Sequence, residues 1–148
     1  MNKDVLSLTG TYEQKIDRRG RLLLPGVFAR ALGNRLYVTR GLDGCLFILR
    51  PSDVTTLCRR LEALPLTLGD ARAFTRLMLS GVQCPLDRRK RFVIPEAVRT
   101  YAGLGQDVVL LGVLNRVEVW SKDKWTQEIA YMLRQSHTSS PELASRGI

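Results

Sequence analysis

Asp17-Arg18-Arg19-Gly20-Arg21-Leu22-Leu23-Leu24-Pro25 and Asp87-Arg88-Arg89-Lys90-Arg91-Phe92-Val93-Ile94-Pro95 are two versions of one stretch. In each, an acid leads a run of cations, three apolar residues and a proline in the same order. They stand 70 residues apart (87 − 17), so the chain is built on an internal repeat. Asp at the first and Gly at the fourth position of 17–20 are the residues a type I turn favours. Tyr12, Gln14 and Ile16 alternate with Glu13 and Lys15 before that turn, and Arg21 to Leu24 follow it. The pattern predicts a hairpin with cations at its tip.

Outward from the first turn, Pro25 opens and Gly33 closes a short predicted helix whose apolar face is Val27, Phe28, Ala31 and Leu32. Strands over Leu36 to Thr39 and Cys45 to Leu49 flank the turn-rich Gly41-Leu42-Asp43-Gly44. The second copy repeats the order. Val82 to Leu86 leads into the tip and Phe92 to Ile94, then a helix carries Val98, Tyr101 and Ala102 and stops at Gly103. Strands over Val108 to Leu111 and Arg116 to Trp120 close it. Gly41 and Gly112 are 71 apart (112 − 41), which predicts one residue inserted after the second helix.

Between the copies, Ser52 and Asp70 are the expected caps of two helices. The first has Val54, Leu57, Cys58, Leu61 and Leu64 on one face, and the second Phe74, Leu77 and Met78. Ser121 opens a last helix with Trp125, Ile129, Met132 and Leu133 on one side. Residues 1–9 and the chain from Gln135 onward read as weakly ordered ends. The division that results is a first repeat over 10–54, a helical connector over 55–80, a second repeat over 81–124, and a C-terminal helix with a frayed tail over 125–148. The fold class is α+β, mainly β with short helices.

Lys and Arg number 23 against 14 Asp and Glu, a net charge of +9 that calls for a polyanionic partner. No run of eighteen or more apolar residues suits a membrane span, and residues 1–10 lack a secretory pattern, so a cytosolic protein is expected, nucleoid-associated with DNA as its polyanion. The three cysteines, Cys45, Cys58 and Cys84, form no close pair and read as buried apolar residues rather than a disulfide framework or metal site. The single histidine, His137, falls in the tail and has no triad or metal partners in view. No phosphate-binding glycine loop, nucleophile elbow or metal-ligand spacing occurs, so neither an enzyme nor a cofactor is expected. Trp120 and Trp125 read as core rather than as base-stacking platforms.

The tips carry the candidate chemistry. A salt-bridged turn, with Asp17 holding Arg21, is the plain reading, and surface pairs of that kind contribute only ~0–1 kcal/mol. Four consecutive cations, Arg88 to Arg91, argue for more, because like charges crowded in one turn repel until a counter-charge arrives. A nucleic-acid backbone supplies that charge, and arginine serves both phosphates and guanine edges. Asp17 and Asp87 are then orienters of the motif.

These residues resemble the MraZ family, built from two AbrB-type repeats. The resemblance rests on Gly10-Thr11-Tyr12, Asp17 to Arg21, Leu32-Gly33, Thr39 to Leu46, Ala71 to Phe74, Leu79-Ser80-Gly81, Tyr101 to Leu104 and Trp120-Ser121-Lys122. It implies two swapped-hairpin barrel halves paired about a pseudo-twofold axis. It also implies a regulator of the bacterial division and cell-wall gene cluster, binding short direct repeats in double-stranded DNA upstream of its own operon as a ring-shaped homo-oligomer, an octamer or dodecamer. Carried across by position, the DNA-facing residues are Arg19, Arg21 and Arg91; Arg18, Arg88, Arg89 and Lys90 join them on charge alone. Lys90 departs from the family's usual Gly, held here at Gly20, and a left-handed turn would cost a lysine about 1 kcal/mol. The alternatives are an antitoxin-like interaction module, a non-specific nucleoid-binding protein and an RNA-binding regulator.

Overall fold

The computed structural model describes residues 8–136 and 140–148; most of the expected N-terminal lead-in, and His137, lie outside them. The strands are β1 (Thr11–Lys15), β2 (Arg21–Leu23), β3 (Arg35–Arg40), β4 (Leu46–Leu49), β5 (Val82–Pro85), β6 (Arg91–Val93), β7 (Asp107–Val113) and β8 (Arg116–Ser121). The helices are α1 (Gly26–Leu32), α2 (Pro51–Glu62), α3 (Gly69–Leu79), α4 (Glu96–Ala102), α5 (Lys122–Gln135) and α6 (Pro141–Ser145). The expected α+β class with mainly β and short helices is what the chain forms.

The expected local hairpin is not what forms. Asp17 N donates to Arg21 O and Gly20 N to Asp17 O, both at 3.0 Å, so the turn closes. Its two arms then part. β1 pairs with β7 and β2 with β6, while in the other half β5 pairs with β3. The result is a six-stranded antiparallel sheet in the order β1-β7-β8-β4-β3-β5 and a separate β2-β6 ribbon. Equivalent strands stand at mirrored places in that order, so the pseudo-twofold axis runs between β4 and β8 and between β2 and β6. Among the described residues the sheet stays open rather than closing into a barrel.

Burial explains the exchange. A two-stranded ribbon has too little apolar surface to stand alone in water. Leu22 and Phe92 face each other across it, and with Leu24 and Ile94 they lie in the main core beside Phe28, Leu36, Val38, Val98, Val108 and Leu110. Crossing the halves lets each repeat cover the other's apolar side. Leu8 is buried in the same core, so the weak order expected over residues 1–9 does not hold at Leu8; Gly112 admits it, because a Cβ there would meet the Leu8 carbonyl carbon at 2.5 Å.

Pairing registers also correct the repeat alignment. Gln14 opposes Val108 and Cys84 opposes Leu36. Gln14 to Cys84 is a step of 70 (84 − 14), whereas Leu36 to Val108 is a step of 72 (108 − 36). Two residues, not one, are therefore inserted after α4, and the tighter β7–β8 turn around Leu114 and Asn115 removes one again.

β4 reads Leu46-Phe47-Ile48-Leu49 because both its faces are buried. Leu46 and Ile48 face the main core; Phe47 and Leu49 join Cys45, Met78 and Trp120 in a second cluster capped by Val54, Leu57, Phe74 and Trp125. The tryptophans thus pack as expected, with ring centroids 5.7 Å apart. Cys45 and Cys84 are buried and burial raises both thiols, but Cys58 is only half-buried because α2 lies on the surface with no fully buried residue. Neither Ser52 nor Asp70 caps its helix: both helices begin two residues earlier than those caps would set, α2 at Pro51 after Arg50 and α3 at Gly69 after Leu68. Ser121 does cap α5, accepting from Lys124 N at 3.2 Å. The expected frayed tail contains α6, where Ser140 accepts from Leu143 N at 3.3 Å.

Candidate nucleic-acid interface

The two tips share one local design. In the first, Asp17 Oδ1 accepts from the backbone N–H of Arg19 and of Arg21, each at 2.9 Å, and Oδ2 accepts from Arg21 Nε at 2.7 Å. In the second, Asp87 accepts from Arg89 N at 2.8 Å, and from Arg91 N and Arg91 Nε at 2.9 Å. Each aspartate thus holds its arginine through Nε. Those donors keep both carboxyls below the ordinary carboxylate range, the backbone N–H of Arg21 or Arg91 contributing most.

Lys90 adopts the same left-handed turn as Gly20, with φ of 62° against 77°. Lys90 N donates to Asp87 O at 3.0 Å as Gly20 N does to Asp17 O. The second tip is therefore the same turn carried by a strained residue.

The ribbon gathers what the sequence had placed apart. Alternation along β2 and β6 sends Leu22 and Phe92 inward, and Arg21, Leu23, Arg91 and Val93 outward. Leu23 is 43% and Val93 55% exposed, large values for apolar residues next to a core. Because Arg21 opposes Val93 and Leu23 opposes Arg91, the two arginines are diagonal neighbours, about 7–8 Å apart for such positions. Their side chains are 28% and 25% exposed, held between aspartate and solvent. Arg18, Arg19, Arg88, Arg89 and Lys90 are exposed around them. One narrow antiparallel ribbon thus carries all seven candidate cations at its face or its two ends.

One cation escaped the sequence reading. Arg99, on α4, lines a cleft with Arg18, Arg19 and Gly20, although it belongs to the other repeat. Strand exchange sets α4 beside the first tip, and no spacing along the chain signals that. A comparison of the two copies holds the only trace: Arg99 stands 70 residues (99 − 29) beyond Ala29, so the equivalent helices differ there.

Among the described residues no group of three or more His, Cys, Asp or Glu stands ready to hold a metal, and no helix is long and apolar enough to cross a membrane. The buried Glu118 is accounted for structurally, accepting from Trp120 Nε1 at 3.0 Å and pairing with Arg116 at 2.9 Å.

Residues 7–77 and 78–145 each match the family model of the MraZ protein, whose description adds a likeness to antitoxins. A protein of Pelotomaculum thermopropionicum named Transcriptional regulator MraZ is 46% identical over 117 residues, covering 78% of this chain and 81% of its own length. One of the same name from Natranaerobius thermophilus is 44% identical over 117 residues, with 78% and 82% covered. Another, from Desulforamulus reducens, is 40% identical over 136 residues, with 91% and 93% covered. The doubled family match coincides with the doubled fold.

Proposed function

The chain belongs to the MraZ family of transcriptional regulators, and from that premise we propose that it binds double-stranded promoter DNA through the β2–β6 ribbon. The observation that carries the reading is the outer face of that ribbon, with Arg21 and Arg91 diagonal to each other, Leu23 and Val93 beside them, and cationic tips at both ends. A two-stranded ribbon fits the major groove of B-DNA. There a guanidinium can take guanine O6 and N7, and an apolar side chain can meet a thymine methyl group. Arg18, Arg19, Arg88, Arg89 and Lys90 serve the phosphates, which fix register and make affinity fall with salt.

The target is a set of short direct repeats upstream of the chain's own operon, in the gene cluster for division and cell-wall synthesis. Several subunits of a homo-oligomeric ring engage them together, raising avidity by about 10²–10⁴ without a new type of contact. Leu64, Leu66, Leu68 and Leu79 around α2 and α3, and Ile129, Met132 and Leu133 on α5, stay exposed in one chain. Apolar surface of that extent is what a subunit contact would cover.

Fluorescence anisotropy tests the reading, using duplex from upstream of the gene, a random duplex, and RNA of the same sequence over a salt series. Preference for the upstream duplex with a steep salt slope is expected. Equal binding to both duplexes would leave a non-specific nucleoid protein, and preference for RNA would leave an RNA regulator. No binding at low salt would leave the antitoxin-like module, with a protein as its partner.

A further inference from the structure

The two tips differ only at position 20 or 90, and the two helices, which differ at each of their seven aligned positions, carry alanine at 29 and arginine at 99. In the first half the tip residue is Gly20 and the helix residue across from it is Arg99, whose Nη1 lies 3.7 Å from where a Cβ on Gly20 would stand. Arg99 Nε donates to Leu104 O at 3.4 Å. In the second half the tip residue is Lys90 and the helix residue is the buried Ala29. Lys90 Nζ donates to Asn34 Oδ1 at 3.3 Å. Asn34 and Leu104 each directly follow the glycine that ends a helix, although strand register makes Gln106 the equivalent of Asn34, since Asn34 O accepts from Leu86 N at 2.9 Å and Gln106 O from Ile16 N at 2.8 Å. A cation is therefore anchored just past the end of a helix in both halves, on a different branch of the chain in each.

We propose that this paired position, filled by Arg99 beside the first tip and by Lys90 beside the second, is a phosphate-holding site that works together with the tip arginines. It rests on the DNA-binding reading and adds to it a residue, Arg99, and a reason for the strained Lys90. The first site is a cleft of about 720 Å³ lined by Arg18, Arg19 and Arg99, with the Glu96 carboxylate and the Thr100 hydroxyl also on its wall. Three cations against one acid leave it positive. Arg99 keeps its Nη groups for an oxygen ligand, since its backbone contact uses Nε. A lysine left at φ 62° despite the cost is accounted for if its ammonium is needed where the facing helix carries Ala29 in place of Arg99.

The test is a swap of the two solutions, read by anisotropy on upstream duplex against salt. Arg99→Ala should weaken binding several-fold at moderate salt and lower the slope of log K against log salt by about one for each phosphate that the chain no longer holds. Gly20→Lys in the Arg99→Ala background should restore both, because it copies the arrangement of the second half. Lys90→Gly should lose affinity and slope in the same way, while relieving the turn, so its loss cannot come from unfolding. Arg21→Ala runs beside them. If Arg21→Ala loses binding while Arg99→Ala and Lys90→Gly keep the parent's affinity and slope, this inference fails and the DNA reading stands. Failure of Gly20→Lys to rescue a folded Arg99→Ala chain would overturn the equivalence of the two positions. If the parent chain binds no duplex, both readings fall.

Discussion

The two halves of this molecule have one backbone and two sets of side chains, and the contrast between their tips is the most informative part of the structure. Both tips hold an aspartate that accepts two backbone N–H groups and one arginine Nε. Both turn through a left-handed fourth residue, glycine in one and lysine in the other. What must be kept for the turn to exist is kept twice. What differs is the source of the cation beside each tip, Arg99 from the facing helix in one half and Lys90 from the turn itself in the other.

The sharpest way to break that comparison is inside the ribbon, where Leu22 and Phe92 oppose each other and both are buried. Phe92→Ala should cost about 3–5 kcal/mol and Leu22→Ala about 2–5 kcal/mol, measured by urea unfolding. Losses under about 1 kcal/mol, well below that range, would mean that the exchanged ribbon does not close the core. Next come the two motif arginines. Arg21→Ala and Arg91→Ala should each weaken binding to upstream duplex by about 10–100-fold, the size of ~1–3 kcal/mol per specific contact. Similar losses would mean that the DNA is read across the pseudo-twofold axis. A loss confined to one would show that the halves have divided the work.

A smaller effect separates the turns. Lys90→Gly should stabilise the fold by up to about 1 kcal/mol, and Gly20→Ala should destabilise it by about as much, both read as shifts in the urea midpoint. Lys90→Gly would then be more stable and a weaker binder, a trade that a purely structural lysine could not show. The smallest effect is shared by both tips. Asp17 and Asp87 have folded pKa values below the ordinary 3.8, so the stability they contribute is fully present above that value. It is lost as pH falls from 3.8 through the lower folded values. Thermal melts of the Asp17→Asn and Asp87→Asn variants should accordingly vary less with pH in that acidic range than those of the parent chain. An unchanged pH profile in both variants would mean the two carboxylates are not coupled to folding.

Much of this was legible in residue order. The repeat, its short helices ended by Gly33 and Gly103, the strands of the described residues and the aspartate–arginine pairing all follow from local rules acting over a few residues. The first hairpin is misleading for the same reason. A type I turn between two alternating segments looks the same whether its arms pair with each other or with another hairpin, because the turn hydrogen bonds do not depend on the partner. The helix starts mislead as well, since Ser52 and Asp70 are good caps that the chain passes by: Asp53 instead pairs with Arg50 at 2.7 Å, and Gly69 already lies in the helix. The two-residue insertion after α4 could not be told from one residue by matching glycines, and only strand register separates them.

By itself, the sequence determined that this chain repeats a basic turn twice, that an aspartate pairs with an arginine in each, and that a net charge of +9 seeks a polyanion. These are matters of local geometry and total charge. Tertiary structure alone decided which strand pairs with which, that Arg21 and Arg91 share one outward face, and that Arg99 from the second repeat stands at the first repeat's tip. The physical reason is that neither ribbon strand can bury its apolar side within its own repeat. Crossing to the other half satisfies both, and it carries the charged side chains to neighbours that no spacing along the chain encodes.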